Sequence, residues 1–129
     1  MSHRKEQLAS AIHRATQAVI SRGLNDPRIR GLITVTRVNV SEDKRNATIY
    51  VSVMPSDKAD LTLHGLKAGA THIRRQVGEI IDAFRMPVFA FKLDKQFQKQ
   101  SETLAAIAKA RADDEQNDTT NAQPGEETP

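Results

Sequence analysis

The stretch from Gly23 to Val53 decides the fold: Gly23-Leu24-Asn25-Asp26-Pro27-Arg28, then Ile33-Thr34-Val35-Thr36-Arg37-Val38-Asn39-Val40-Ser41, then Ala47-Thr48-Ile49-Tyr50-Val51-Ser52-Val53. Glycine at 23 is free to take the left-handed conformation that ends a helix, and Pro27 cannot continue one. Asn25 and Asp26 favour a turn because their side chains bond their own backbone. The two runs that follow are dense in β-branched residues, which suit a pleated, half-buried surface. In the second run Ala47, Ile49, Val51 and Val53 alternate with Thr48, Tyr50 and Ser52, giving one apolar and one wetter face. Ser41-Glu42-Asp43-Lys44-Arg45 is polar throughout and reads as the loop of a β-hairpin.

Upstream, Leu8, Ile12, Ala15 and Val19 form one stripe of an amphipathic helix from about His3 to Arg22, with His13, Arg14, Gln17 and Ser21 on its far side. Downstream, Pro55-Ser56-Asp57 makes a turn whose Ser56 or Asp57 is placed to cap the next helix. Leu63, Leu66, Ala70, Ile73, Val77, Ile80 and Phe84 then recur at steps of three and four. A straight helix from Leu61 to Phe84 would span roughly 36 Å and overhang strands of about 27 Å. A kink is therefore expected, and Gly69-Ala70-Thr71 is the weakest place in the helix. Pro87 ends that helix, and Phe89, Phe91 and Leu93 alternate with Ala90 and Lys92 as a third strand. From Asp94 to Ala110 the helical periodicity is weaker, carried by Phe97, Leu104 and Ile107.

The order helix, strand, strand, kinked helix, strand predicts an α+β domain: a three-stranded sheet with its helices on one face. This is the order of a type II KH-like domain. Such modules hold single-stranded RNA on a Gly-x-x-Gly loop, and no Gly-x-x-Gly occurs here. Gly65 and Gly69 lie beside the apolar stripe, where close helix packing is their expected job.

The chain has 129 residues, enough for one domain, and no cysteine, which excludes disulfides and thiolate metal sites. It shows neither a signal peptide nor a membrane-spanning run, so a cytoplasmic protein is expected. Charge is divided unevenly. Met1 to Arg111 holds 19 bases and 10 acids, a net of +9, whereas Ala112 to Pro129 holds six acids and no base. We expect a basic domain over 1–110 and an unstructured acidic tail over 111–129, since the tail has too little apolar surface to repay its ordering entropy. A basic domain is a pattern of polyanion binders.

Nothing in the sequence points to catalysis, a metal or a cofactor. His3, His13, His64 and His72 lack ligand spacing, and Glu79 and Asp82 are explained by an ion pair of Glu79 with Arg75. The better constellation is Lys67, Thr71, Arg74, Arg75 and Gly78, which fall within about 100° of helical arc, opposite Ile73 and Val77. Small residues beside bases let a helix approach a phosphate backbone, and the bases neutralise it. The alternative is an ordinary solvated face. Arg28 and Arg30 in the turn before the first strand are similar candidates. Tyr50 is the one aromatic expected to point away from the core, so base stacking is not expected.

The sequence resembles the ribosome-binding factor A family, bacterial proteins that bind the small ribosomal subunit during its maturation. The resemblance is sharpest over Asp26-Pro27-Arg28, Thr34-Val35-Thr36, Ser41-x-Asp43 and Ala47-x-Ile49-Tyr50-Val51-Ser52. It resumes at Ile73-Arg74 and Pro87-x-Phe89-x-Phe91-x-x-Asp94. It implies a type II KH-like fold whose loop is replaced by an Ala-x-Gly helix kink. It also implies a non-enzymatic role, binding small-subunit (30S) RNA and helping the 16S rRNA precursor mature. This chain departs from the pattern at the kink, where Gly69-Ala70-Thr71 places glycine first, and at Phe84, where the family often has arginine. The expected partner is the small subunit with its rRNA, without a membrane or small-molecule substrate, and the expected state is a monomer. The competing reading is a protein-interaction module that uses an exposed sheet edge.

Overall fold

A computed structural model describes residues 2–82 and 85–126, with side chains over 4–82 and 85–114. The elements run α1 (Ser2–Arg22), β1 (Leu32–Val40), β2 (Asn46–Met54), a 3-10 turn (Ser56–Lys58), α2 (Ala59–Ala68), α3 (Ala70–Ile81), β3 (Val88–Leu93) and α4 (Lys95–Glu126). The sheet order is β1-β2-β3, with β1 and β2 antiparallel and β2 and β3 parallel. This is the expected α+β, KH-like arrangement.

The turn before β1 forms as its residues dictate. Gly23 sits at φ 98° and donates its amide to the Ile20 carbonyl, closing α1. Asp26 accepts the Arg28 amide at 2.9 Å through Oδ1, the local side-chain bond that makes aspartate a turn residue. Ile33, Val35, Val40, Ala47, Ile49, Val51, Val53, Phe89 and Phe91 are all buried against Ile12, Ala15 and Val19 of α1, Leu66 of α2, and Ile73 and Val77 of α3.

Strand β1 carries a feature that the hydrophobic pattern hides. Its register shifts between Val35 and Arg37, so Val35 pairs with Val51 and Arg37 with Tyr50. Side chains alternate sides along a strand, and the extra residue at Thr36 resets the phase. Ile33 and Val35 therefore share the core face with Val38 and Val40, although odd and even numbers are mixed. The Thr36 hydroxyl at the bulge donates to Asp94 Oδ2 at 2.7 Å. That bond, more than the distant Arg37, holds the Asp94 carboxyl below its usual pKa of 3.8. Its contribution to stability is complete above that value and is lost on acidification below it.

The kink falls where expected. Helix α2 ends at Ala68 and α3 starts at Ala70; Gly69 between them has φ −93° and ψ 8°, outside the helical well. Gly65 is the close-packing residue: a Cβ there would lie 2.6 Å from Ile29 Cγ1. Ile80, expected in the stripe, is 42% exposed, and Ile81 packs on the core in its place. Phe84, the last residue of that stripe, lies outside the described residues. Neither Ser56 nor Asp57 caps a helix through its side chain; Pro55 and Lys58 occupy the two cap positions.

The backbone of α4 is helical to Glu126, past Ala112, where composition led us to expect an unstructured tail. Ala112, Glu115 and Gln116 favour that continuation, whereas Asn117, Asp118, Thr119, Thr120 and Asn121 are weak helix formers and give no local reason for it.

Thr16 is fully buried on α1, and its hydroxyl has no hydrogen-bond partner. Valine fills the same shape without the desolvated hydroxyl, so Thr16→Val is expected to stabilise the domain by about 1 kcal/mol. Urea denaturation measures this directly; a lower midpoint in the variant would show that the hydroxyl is bonded.

Candidate nucleic-acid interface

The six residues singled out in the sequence do not form one patch. Arg28 and Arg30 lie in the turn before β1, which is fastened to α2. The Thr62 hydroxyl accepts the Arg30 amide at 3.2 Å and donates to the Arg30 carbonyl at 3.0 Å. Both side chains are partly engaged. Arg28 forms a two-pronged pair with Asp26, Nη2 to Oδ2 at 2.8 Å and Nε to Oδ1 at 3.1 Å. Arg30 Nε donates to the Pro27 carbonyl at 2.9 Å. The Arg28 bond holds the Asp26 carboxyl below its ordinary range. Strand β1 separates this turn from the β1–β2 loop by roughly 27 Å.

Thr71, Arg74, Arg75 and Gly78 do come together, around a cavity of about 260 Å³ that Met86 also lines. Lys67 is exposed but lies outside that lining. Arg75 is exposed, and the ion pair with Glu79 that helical spacing suggested does not form among the described residues.

Arg74 has a different job. Its Nη2 donates to the Met86 carbonyl at 2.6 Å and its Nε to the Pro87 carbonyl at 2.8 Å. The guanidinium therefore clamps the α3–β3 connection against α3. A rigid fork of donors suits two neighbouring carbonyls in a way that a lysine ammonium cannot match. Helical spacing shows which way Arg74 projects, but not that backbone acceptors wait there.

The larger basic surface adjoins this clamp. A cavity of about 960 Å³ is lined by Lys44, Arg45, Arg74 and Arg85, with Asp43 the lone acid and Leu8, Met86 and Val88 the apolar residues. Beside it, a cavity of about 510 Å³ is lined by Arg4, Lys5, Glu42 and Lys44. The 960 Å³ cavity shares Lys44 with the 510 Å³ one and Arg74 and Met86 with the 260 Å³ one, so the three run on from one another as one basic groove along an end of the sheet.

The acids along this groove are already occupied. Glu42 takes Lys5 Nζ at 2.5 Å. Asp43 Oδ1 accepts the Ser41 hydroxyl at 2.7 Å and the Arg45 amide at 3.1 Å. Both carboxyls are held below their ordinary range, Glu42 by Lys5 and Asp43 chiefly by Ser41. The Ser41-x-Asp43 motif is thus the internal brace of the hairpin loop. Sequence reading passed over Lys44 and Arg45 because a charged hairpin loop looks the same whether or not it faces anything. The signal was available in Ser41 and Asp43, whose bonds fix such a loop in place.

The described residues hold no cluster of histidine or acidic side chains suited to a metal ion. The wetter sheet face offers little for base stacking: the Arg37 guanidinium lies 4.0 Å from the Tyr50 ring centroid and covers it. Tyr50 is not the sole outward aromatic, however, because Phe97 on α4 is 40% exposed. The sheet edges are also partly occupied. Gln17, expected on the far side of α1, receives the Val35 amide at 2.7 Å and donates to the Ile33 carbonyl at 3.1 Å, standing in for a neighbouring strand along β1.

This chain and its fold are matched among known proteins. The family model of ribosome-binding factor A matches residues 4–107. The chain belongs to the ribosome-binding factor A family. The family member from Geobacter metallireducens is 41% identical over 99 residues, covering 76% of this chain and 83% of the relative. The crystal structure of ribosome-binding factor A from Thermus thermophilus superposes with a TM-score of 0.58 at 25% identity, covering 69% of this chain and 94% of that one. A homology model of the Thermus thermophilus protein, fitted into a cryo-EM map of its complex with the 30S subunit, superposes with a TM-score of 0.52 at 25% identity, covering 72% of this chain and 93% of that one. These relatives are named as ribosome-binding factors rather than as enzymes. Thr34-Val35-Thr36 and Asp94 are the β1 bulge and its hydrogen-bond partner.

Proposed function

We propose that this chain is a ribosome maturation factor. It binds the free small (30S) subunit and assists late assembly and 16S rRNA precursor processing, without catalysing a reaction. It acts in the cytoplasm, as a monomer, with no cofactor. Residues 1–110 are the RNA- and ribosome-binding domain, and 111–129 a solubilising acidic tail. The observation that carries this reading is the match along 4–107 to ribosome-binding factor A, whose Thermus thermophilus representative is fitted in a 30S complex. A basic groove on the same domain supplies the surface. Among the described residues, no helix is long and apolar enough to cross a membrane.

Exposed Lys67 and Arg75 near the kink, with the Thr71 hydroxyl, and exposed Arg28 and Arg30 in the separate turn add contacts to that groove, with Arg74 holding its wall. Such contacts position the protein by charge and shape. Co-sedimentation with free small subunits, large subunits and joined ribosomes across a salt series tests the reading. Selective binding to small subunits that weakens with salt is expected. Equal binding to all three, or binding to none, would overturn it.

Arg75→Glu is the informative single variant. It should weaken small-subunit binding by about tenfold, since it removes one phosphate contact and adds a repulsive charge. Its melting temperature should match the wild type because Arg75 is exposed. Arg74→Glu is a poor probe, since it also breaks the clamp on Met86 and Pro87.

A further inference from the structure

We infer that the groove between the β1–β2 loop and the α3–β3 connection takes the sugar-phosphate backbone of double-helical RNA, and that Lys44 and Arg45 are its principal phosphate contacts. This deepens the maturation-factor reading and rests on it.

Three observations carry the assignment. The described parts of both walls are braced by hydrogen bonds. The loop is closed by the Lys44 amide on the Ser41 carbonyl at 2.9 Å and by the Asn46 amide on the Ser41 hydroxyl at 3.1 Å. It is tied across to the opposite wall by the Val88 amide on the Arg45 carbonyl at 2.8 Å. That opposite wall is in turn clamped by Arg74. A site held in place before binding loses less freedom on association.

Cations outnumber anions in the groove, where Lys44, Arg45, Arg74 and Arg85 face Asp43 as the lone acid. Lys44 and Arg45 are exposed, while the nearby carboxylates of Glu42 and Asp43 are taken by Lys5, the Ser41 hydroxyl and the Arg45 amide. The cations that remain outward are an ammonium and a guanidinium, the two groups that neutralise phosphate.

The third observation is the absence of any described aromatic residue from the groove lining, whose apolar part is aliphatic: Leu8, Met86 and Val88. Single strands are held by stacking their bases on aromatic rings, or by a Gly-x-x-Gly clamp in KH modules. This groove presents cations flanking aliphatic patches. That matches ribose and phosphate on the outside of a duplex, where RNA is read by shape and backbone.

The test uses the full chain and a 16-base-pair RNA duplex of arbitrary sequence, with one of its strands alone as comparison, by fluorescence anisotropy. The wild type should bind the duplex at least about fivefold tighter than the single strand, and changing the duplex sequence should leave the affinity unaltered. Lys44→Ala with Arg45→Ala should lower duplex affinity by about tenfold or more and make the salt dependence shallower by roughly two phosphate contacts. Thermal melting of the double variant, expected to match the wild type, separates lost contacts from lost folding. Equal affinity for duplex and single strand, or an unchanged duplex affinity in the double variant, would overturn the assignment. Small-subunit binding by the wild type that survives intact in the double variant would overturn the groove while leaving the maturation-factor reading standing. Duplex binding lost in the double variant, with no wild-type preference for small subunits, would uphold the groove and remove that reading.

Discussion

Gly31→Ala is expected to destabilise the domain by about 3 kcal/mol or more, a far larger loss than Gly23→Ala. Both glycines have positive φ, 98° at Gly23 and 83° at Gly31. Both substitutions therefore carry the left-handed penalty of about 1–2 kcal/mol. They differ in what the new methyl group meets. At Gly23 nothing lies within 4 Å, whereas at Gly31 a Cβ would press on the Met54 carbonyl oxygen, well inside contact distance, with Met54 C at 3.2 Å. That carbonyl belongs to the end of β2, opposite Leu32 of β1, so relief would require the first rung of the hairpin to open. Chemical denaturation of both variants isolates the clash, because the conformational term is common to the pair. Equal losses would mean that the turn swings away from Met54 without disturbing the sheet.

Gly23 and Gly31 mark how much of the fold was legible in the sequence. The helix stop at Gly23, the hairpin, the kink at Gly69 and the third strand each have a local cause: a residue type with few conformational alternatives, or a period that only one element satisfies. They were accordingly visible in one dimension. The bulge at Thr36 was not, because Ile33-x-Val35-x-x-Val38-x-Val40 still reads as a β-branched strand, and only pairing with β2 exposes the extra residue. Ile80 was misplaced because a step of three or of four from Val77 suits a helical stripe equally well, and the packed residue is Ile81.

The candidate site was legible in its charge but not in its geometry. Arg74 and Arg75 are neighbours of the same type, and the sequence gives no ground for separating them. The structure separates them by what each can reach: Arg74 meets two backbone carbonyls, and Arg75 remains exposed. Lys44 and Arg45 become candidates only once the loop is seen to be cross-braced to the far wall of a groove. Long-range bonds such as Val88 to Arg45 join residues far apart in the chain, and no local pattern encodes them.

Gln98 shows the same principle at its largest energetic scale, and its replacement is the second large effect we expect. Strand β3 pairs with β2 as far as Leu93 opposite Val51. The Asp94 amide then reaches the Val51 carbonyl at 2.8 Å, after which the chain leaves to begin α4. The next rung of β2 on that side, Val53, would be left without a partner. Gln98 supplies one: its Oε1 accepts the Val53 amide at 2.7 Å and its Nε2 donates to the Val53 carbonyl at 2.5 Å. Gln98 is 4% exposed and Val53 fully buried, so water does not replace these bonds cheaply. Gln98→Ala leaves a buried donor and a buried acceptor unpaired at about 1–3 kcal/mol each, so a loss of about 2–6 kcal/mol is expected. The same bonds fasten α4 to the sheet, so this loss should appear as detachment of α4 before global unfolding, read by hydrogen exchange at the Val53 amide. Gln98→Glu provides the sharper test because it keeps the shape. As a carboxylate it still accepts the amide but turns a second acceptor toward the Val53 carbonyl; as a carboxylic acid it donates there and reproduces glutamine. Its folded pKa must therefore lie above the ordinary glutamate value of about 4.3. The linkage sign follows: the variant recovers stability relative to wild type as pH falls through the folded pKa and is weakest above it. Melting curves of both proteins at pH 4 and pH 7 should show the gap narrowing in acid. A gap independent of pH would mean that Gln98 acts through packing alone, and that the edge of β2 is protected by the bulk of α4 instead of by a borrowed amide.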